Sequence, residues 1–115
     1  MSAVTTHVLD TGSGRPASGV RVRLEARTDG PGGGAGWREL AAAETDEDGR
    51  VRDLGPDRLE PGTYRLVFDT GRWYAGRGVS AFHPDVTVAF TGSGEAHLHV
   101  PLLIAPFAYS TYRGS

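Results

Sequence analysis

The 115-residue sequence contains no cysteine and no lysine. Without cysteine there is no disulfide framework, thiolate nucleophile, cysteine-ligated zinc or iron–sulfur cluster. All 12 basic residues are arginine. That removes Schiff-base chemistry, pyridoxal phosphate attachment and the Walker-type phosphate loop, each of which needs a lysine. Excess charge of one sign is also missing. The formal charge is −2 and the pI is near 6.0, so no basic footprint points to nucleic acid or an anionic membrane as a partner. Long hydrophobic runs are absent too. The most apolar stretch, Val100 to Tyr109, is about half the length of a membrane span and carries Pro101 and Pro106. Met1–Thr6 has neither a charged n-region nor an apolar h-region, so the expectation is a protein without a signal peptide, in the cytoplasm. The missing cysteines fit that compartment.

The remainder is enough for one globular domain spanning 1–115. The hydrophobic count of 38% includes 4 Tyr and omits 17 Gly; exchanging the two brings the apolar share to about half the chain, the usual globular value. Charged residues make up 23% and are mixed in sign, which disfavours disorder. Any chemistry must come from His, Arg, Asp/Glu, Ser/Thr or Tyr.

Glycine and proline punctuate the chain every ~8–15 residues, and short alternating runs lie between them, the pattern of an all-β sandwich or barrel. The cleanest run is Val20-Arg21-Val22-Arg23-Leu24-Glu25-Ala26. Its even-numbered residues are expected to face the core, and its arginines and Glu25 to face water. Tyr64–Asp69 repeats the pattern, and Val86, Val88 and Phe90 form a third apolar face. Further strands are expected over Val4–Leu9, Trp37–Thr45, near Val51, Ala96–Ile104 and Phe107–Arg113. Ala105-Pro106 breaks the last two into a hairpin. The glycine-rich run from Asp29 to Gly36 reads as a flexible connection. Gly71–Gly78 reads as one short helix. The sum is a sandwich of about eight strands with one helix.

Four histidines are present: His7, His83, His97 and His99. Side chains at i and i+2 of a strand share a face, which sets His97 and His99 about 6.6 Å apart and pointing the same way, with Ala96, Leu98 and Val100 toward the core. Two imidazoles side by side suit a metal site or acid/base work; a solvent-facing strand that happens to carry two histidines is the bland alternative. His7 interrupts an apolar strand and, alone, reads as a satisfied structural histidine. Arg50 follows the acidic turn Thr45-Asp46-Glu47-Asp48-Gly49 and, alone, reads as a surface arginine offsetting carboxylates. His83, beside Pro84, reads as structural or exposed. The chain end, Tyr109-Ser110-Thr111-Tyr112-Arg113-Gly114-Ser115, is aromatic and rich in hydroxyls. It is expected to be tied down as a strand rather than frayed, with Ser115, Arg113 and the terminal carboxylate available to a polar site.

Three segments together carry a family resemblance. Thr5-Thr6-His7-Val8-Leu9-Asp10-Thr11 with Gly14-Arg15-Pro16-Ala17, then Asp48-Gly49-Arg50, then His97-Leu98-His99-Val100-Pro101-Leu102-Leu103 through Tyr112-Arg113-Gly114-Ser115 resemble the signatures of the 5-hydroxyisourate hydrolases, the transthyretin-related enzymes of purine catabolism. Trp73-Tyr74 and Phe82-His83-Pro84 also have counterparts in that family. Leu98 stands where a tyrosine is more usual, and Ile104-Ala105 and Ala108 also depart from the common pattern.

The resemblance implies a transthyretin-like sandwich assembled as a homotetramer, with sites in channels between dimers. Each site would be built around His7, Arg50, His99 and Ser115 as catalytic residues. Tyr112, Arg113 and Gly114 would join His7, Arg50 and Ser115 in binding the small-molecule substrate. Transthyretin, the related hormone carrier, lacks the two histidines, the arginine and the terminal Tyr-Arg-Gly-Ser, so their presence here favours the enzyme.

The implied reaction opens the ring of 5-hydroxyisourate at its acyl C–N bond, with no metal and no cofactor. His7 and His99 would position and activate water, Arg50 would bind substrate and stabilise charge, and Ser115 would orient substrate or water. Two rival readings stay open on the residues: a three-histidine zinc site serving a hydrolase or lyase, and a transthyretin-like carrier whose histidines only line a channel.

Overall fold

The alternation that begins at Val20 becomes the strand β3 (Arg21–Asp29), in which Val22 and Leu24 are fully buried. The computed structural model describes residues 2–29, 35–94 and 97–115. Chain order is β1 (Val4–Asp10), β2 (Arg15–Pro16), β3, β4 (Ala35–Glu44), β5 (Arg50–Val51), β6 (Gly62–Phe68), α1 (Thr70–Ala75), β7 (Val86–Gly92), β8 (Leu98–Ala105) and β9 (Ala108–Thr111). The expected all-β sandwich with one short helix is thus present, with β2 and β5 as two-residue additions to the longer strands.

One sheet has the order β2-β1-β8-β9 with β5 also pairing β1; the other has the order β4-β3-β6-β7. Val4 and Val8 of β1, Leu102 and Ile104 of β8, and Val22, Leu24, Leu66 and Phe68 of the second sheet bury their side chains in one hydrophobic core. Each occupies alternate positions of its strand, as the period of two requires. Burying a Leu or Phe completely is worth about 1.5–3 kcal/mol, so this alternating set dominates the stability of the sandwich.

The helix spans Thr70–Ala75, starting one residue earlier than expected and ending before Gly76. Gly71, its second residue, sits at a close approach: a β-carbon there would stand 2.5 Å from the Pro84 carbonyl oxygen. Trp73 and Tyr74 pin the helix to the loop after β2 and to the end of β1, the indole Nε1 donating to the Ser18 carbonyl at 2.7 Å and the phenol donating to Asp10 Oδ1 at 2.7 Å. Burial and the Asp10 carboxylate push the Tyr74 phenol well above its ordinary pKa. Asp10 itself is held below the carboxylate range: burial acts to raise it, but hydrogen bonds from Tyr74, Ser13 and Gly12 outweigh that.

Three expectations are corrected. Glu25 does not face open water; it is 9% exposed and accepts from Arg65 Nε at 2.6 Å and from Arg23 Nε at 3.3 Å. Both arginines flank it on the outer face of the sheet, and Arg65 also lies over the Trp37 ring at 4.1 Å. His97 precedes β8 rather than lying within it. The last strand stops at Thr111 instead of running to Arg113, and the chain returns to pair at one point, a bridge between Gly114 and His99. The flexible connection expected over Asp29–Gly36 falls largely outside the described residues, as does the core placement of Ala96; at the edge of the connection, Asp29 and Ala35 pair across β3 and β4. The hairpin break at Ala105-Pro106 is present, with Ala105 paired to Ala108.

Candidate active site

Strand β1 is the spine of the site. It pairs in parallel with β8, setting Thr5 opposite His99, and antiparallel with β5, setting His7 opposite Arg50. Val4, Thr6 and Val8 point into the core, so Thr5 and His7 share the opposite face. Residues 5–7, 50 and 99 are thereby neighbours on three adjacent strands, although up to 94 positions separate them in sequence.

A tight acidic turn delivers Arg50. The Asp46 carboxylate accepts from the backbone N–H groups of Asp48 at 2.8 Å and Arg50 at 3.0 Å. The hydrogen bond from Arg50 is the main cause that holds the Asp46 carboxyl below its usual range. Gly49 has φ +75°, and a β-carbon there would overlap the Val8 carbonyl oxygen, so only glycine lets the turn lie against β1. The turn then reaches back: the Asp48 carbonyl accepts a hydrogen bond from His7 Nε2 at 2.8 Å. A carbonyl only accepts, so His7 carries a proton on Nε2.

Arg52 engages the carboxylates that Arg50 was expected to offset, at 2.7 Å from Asp46 and 3.8 Å from Asp48. Among the ion pairs of the described residues, none includes the Arg50 side chain. Thr5, Arg50, Arg52, His97, His99 and Ser115 line an open groove of about 250 Å³.

The His99 ring is held on two sides. Its Nδ1 lies 2.8 Å from Thr5 Oγ1, and Gly114 covers the Cγ–Cδ2 edge so closely that a β-carbon would stand 2.5 Å from Cδ2. The Gly114 N–H donates to the His99 carbonyl at 2.8 Å and fixes this contact. What remains of the ring is Cε1 and Nε2. Burial depresses the His99 pKa, and the positive charges of Arg50, His97 and His7 depress it further, against a weaker opposing hydrogen bond to the Thr5 backbone. The ring is therefore neutral, a base, across a wider range below its ordinary value.

The structure brings Arg50, His99 and Ser115 to one groove; His7 is paired across from Arg50 but is not among the residues that line that groove. Tyr112 and Arg113 lie on the other side of His99, lining with Val88, Phe90 and Thr111 a second depression of about 320 Å³. Gly114 packs against His99. His83 stands apart, its ring edge-to-face with Phe82 at 4.9 Å and Tyr109 at 5.0 Å, a packing position.

The three histidines of the zinc alternative do not converge. His97 Nε2 and His99 Nδ1 both bond Thr5 Oγ1, while His7 Nε2 bonds the Asp48 carbonyl. Among the described residues no group of three His, Asp or Glu side chains is placed to share an ion. Sequence reasoning passed over Thr5 and Asp46. Thr5 had a signal, since it lies two residues before His7 on the same strand face; the role of Asp46 depends on a turn geometry that spacing does not show.

The model of the HIUase/Transthyretin family matches residues 4–114. The chain is similar to the 5-hydroxyisourate hydrolase of Mus musculus, 48% identical over 116 residues that cover 99% of this chain and 96% of that one. Its structure is similar to that of the Klebsiella pneumoniae 5-hydroxyisourate hydrolase, with TM-score 0.85, 36% identity and coverage of 99% and 100%. It is also similar to that of Sparus aurata transthyretin, with TM-score 0.88, 28% identity and coverage of 99% and 97%.

Proposed function

The chain belongs to the HIUase/Transthyretin family, and we propose that it opens 5-hydroxyisourate by hydrolysis, through His7, Arg50, His99 and Ser115. The fold is shared about equally with hydrolase and carrier, so it decides nothing between them. Sequence does decide: the hydrolase relatives stand at 40–48% identity over nearly the whole chain. The activity is that of a cyclic amide hydrolase in urate degradation, and its product is 2-oxo-4-hydroxy-4-carboxy-5-ureidoimidazoline.

One observation carries the assignment of roles: a histidine kept neutral and an arginine outside any ion pair of the described residues face the same groove. Ring opening needs a base for water, a positive group for the carbonyl oxygen as it gains charge, and a proton for the departing nitrogen. A neutral imidazole serves the first and, once protonated, the third. A guanidinium presents a rigid fork of donors and stays charged throughout. His99 is the base through Nε2, Arg50 holds the acyl oxygen, and His7, with its Nε2–H on Asp48, offers Nδ1 to water or substrate. Ser115 orients substrate at the rim. Tyr112 and Arg113 extend binding to the far side of His99, and Gly114 holds the His99 ring in place. No metal or cofactor has a part in the scheme.

Residues 1–115 act as one domain, consistent with a core shared by both sheets. Exposed Phe82, Phe107 and Tyr112, at 60–73% exposure, support assembly into the homotetramer that the family resemblance implies, with grooves shared between dimers. No helix of the described residues is long and apolar enough to cross a membrane; a cytoplasmic location rests on composition.

The test is purified protein added to freshly generated 5-hydroxyisourate, with and without EDTA. Accelerated decay unaffected by chelator is expected. Decay at the spontaneous rate returns the chain to the carrier reading, and activity lost to EDTA and restored by zinc promotes the metal reading.

A further inference from the structure

One hydroxyl touches two imidazoles. Thr5 Oγ1 stands 2.9 Å from His97 Nε2 and 2.8 Å from His99 Nδ1, and the two rings lie nearly parallel with centroids 6.4 Å apart. Thr5 is 9% exposed, whereas His97 is open to solvent. We propose that Thr5 and His97 form a proton relay beside His99, connecting Nδ1 of the base to the solvent around the exposed His97 ring. This rests on the reading of His99 as the base.

A threonine hydroxyl has one proton to donate and two lone pairs. When His99 Nδ1–H donates to Thr5 and Thr5 donates to His97 Nε2, His99 Nε2 has a free lone pair facing the groove. When water gives its proton to Nε2, the Nδ1 proton passes to Thr5 Oγ1, the hydroxyl proton passes to His97 Nε2, and His97 releases its Nδ1 proton to solvent. The hydroxide left from water adds to the acyl carbon. As the C–N bond breaks, Nε2 gives its proton to the departing nitrogen, and the relay runs backward to restore the first tautomer. Every proton is returned, and no additional reactant is needed.

The surroundings give the relay its purpose. His99 is faced by Arg50 from β5, His7 from β1, His97 from its own segment and Arg52 along the groove, with Arg113 across the ring. An imidazolium there stands against the positive charge of Arg50, which disfavours it. Moving the proton outward through Thr5 spares His99 that charge and passes it by way of an exposed ring to solvent, where water stabilises it. Thr5 and His97 are positioning residues, since neither needs to touch the reacting atoms.

The test compares Thr5→Val, Thr5→Ser, His97→Ala and His99→Ala in the intact protein. Thr5→Val keeps the shape and removes the hydroxyl; it is expected to lower kcat about tenfold or more while KM stays within about threefold. Thr5→Ser is expected to recover most of the loss. His97→Ala changes an exposed side chain, and its lost turnover is expected to return when free imidazole is added at millimolar concentration. If Thr5→Val does not fold, the imidazole rescue decides alone. Wild-type kcat in Thr5→Val, or a His97→Ala defect that imidazole leaves untouched, overturns the relay while an inactive His99→Ala keeps the base assignment. An active His99→Ala overturns the base assignment itself.

Discussion

Gly114 lies against the imidazole of His99, bridged to it through the backbone, at a distance that admits no side chain: a β-carbon would stand 2.5 Å from Cδ2, 3.1 Å from Cγ and 3.2 Å from Cβ. The backbone dihedral of Gly114 is not in the left-handed region, so the requirement for glycine is steric rather than conformational. His99 is thus oriented from one side by a hydroxyl and from the other by an absence of side chain.

Gly114→Val is expected to turn or push the His99 ring and lower kcat about 10²-fold, the scale of losing a positioned acid/base group. The core lies elsewhere, so the thermal midpoint should move little. Steady-state kinetics beside a melting curve checks this; a midpoint that collapses along with the rate would show the bridge to be structural.

His7→Ala, Arg50→Ala and His99→Ala are each expected to cost about 10²–10⁴-fold in turnover. Arg50→Lys should not recover the loss, because an ammonium cannot reproduce the planar fork. An active Arg50→Lys enzyme would mean that charge alone suffices.

The depressed pKa of His99 has a definite sign in solution. Burial and three positive neighbours favour the neutral ring, so its NMR titration midpoint is expected below about 6.5, the ordinary imidazole value. The acid limb of kcat/KM should fall in the same range. Arg50→Gln removes one of those charges, and the His99 midpoint should then rise. A wild-type midpoint above 6.5 contradicts the electrostatic account.

Glu25 gives a stability prediction. Burial acts to raise its pKa, but the hydrogen bonds and charges of Arg65 and Arg23 win and lower it. A carboxylate with a depressed folded pKa contributes stability that is full above its unfolded value, near 4.3, and is lost as pH falls through the folded pKa. Glu25→Gln is expected to lose about 1 kcal/mol at neutral pH, the upper range for partly exposed pairs. It should lose less than wild type on acidification below pH 4. Urea melts at pH 7 and pH 3 measure both, and parallel losses in the two proteins count against the ion pair.

Much of this was legible in the residues. The period of two from Val20 onward is a local property, and it located β3 and its buried Val22 and Leu24 without any partner strand. The shared direction of His97 and His99 also follows from spacing alone, and the observed 6.4 Å between rings matches it closely although His97 lies outside the strand. What stayed hidden depends on distant partners. The burial of Glu25 depends on Arg65, 40 positions away. The hydrogen bond of Thr5 depends on a parallel pairing that joins the two ends of the sequence. The aromatic, hydroxyl-rich end from Tyr109 to Ser115 reads as a strand reaching Arg113, but pairing stops at Thr111 and resumes only where Gly114 meets His99, a contact that alternation does not reveal.

That parallel pairing of β1 with β8 has a consequence for the order of events in the cell. Val4 finds its neighbour in Leu98, so β1 leaves the ribosome well before the strand it pairs with. At ~5–20 residues per second the delay is roughly 5–20 s. During it β1 can form only its short pairings with β2 and β5, and its other edge is open to wrong partners. The second sheet, β4-β3-β6-β7, is fully synthesised by residue 92 and can assemble before β8 appears. His7 and Arg50 can already face each other through the pairing of β1 with β5, whereas His99 and Gly114 join them only once residues 98–114 are in place.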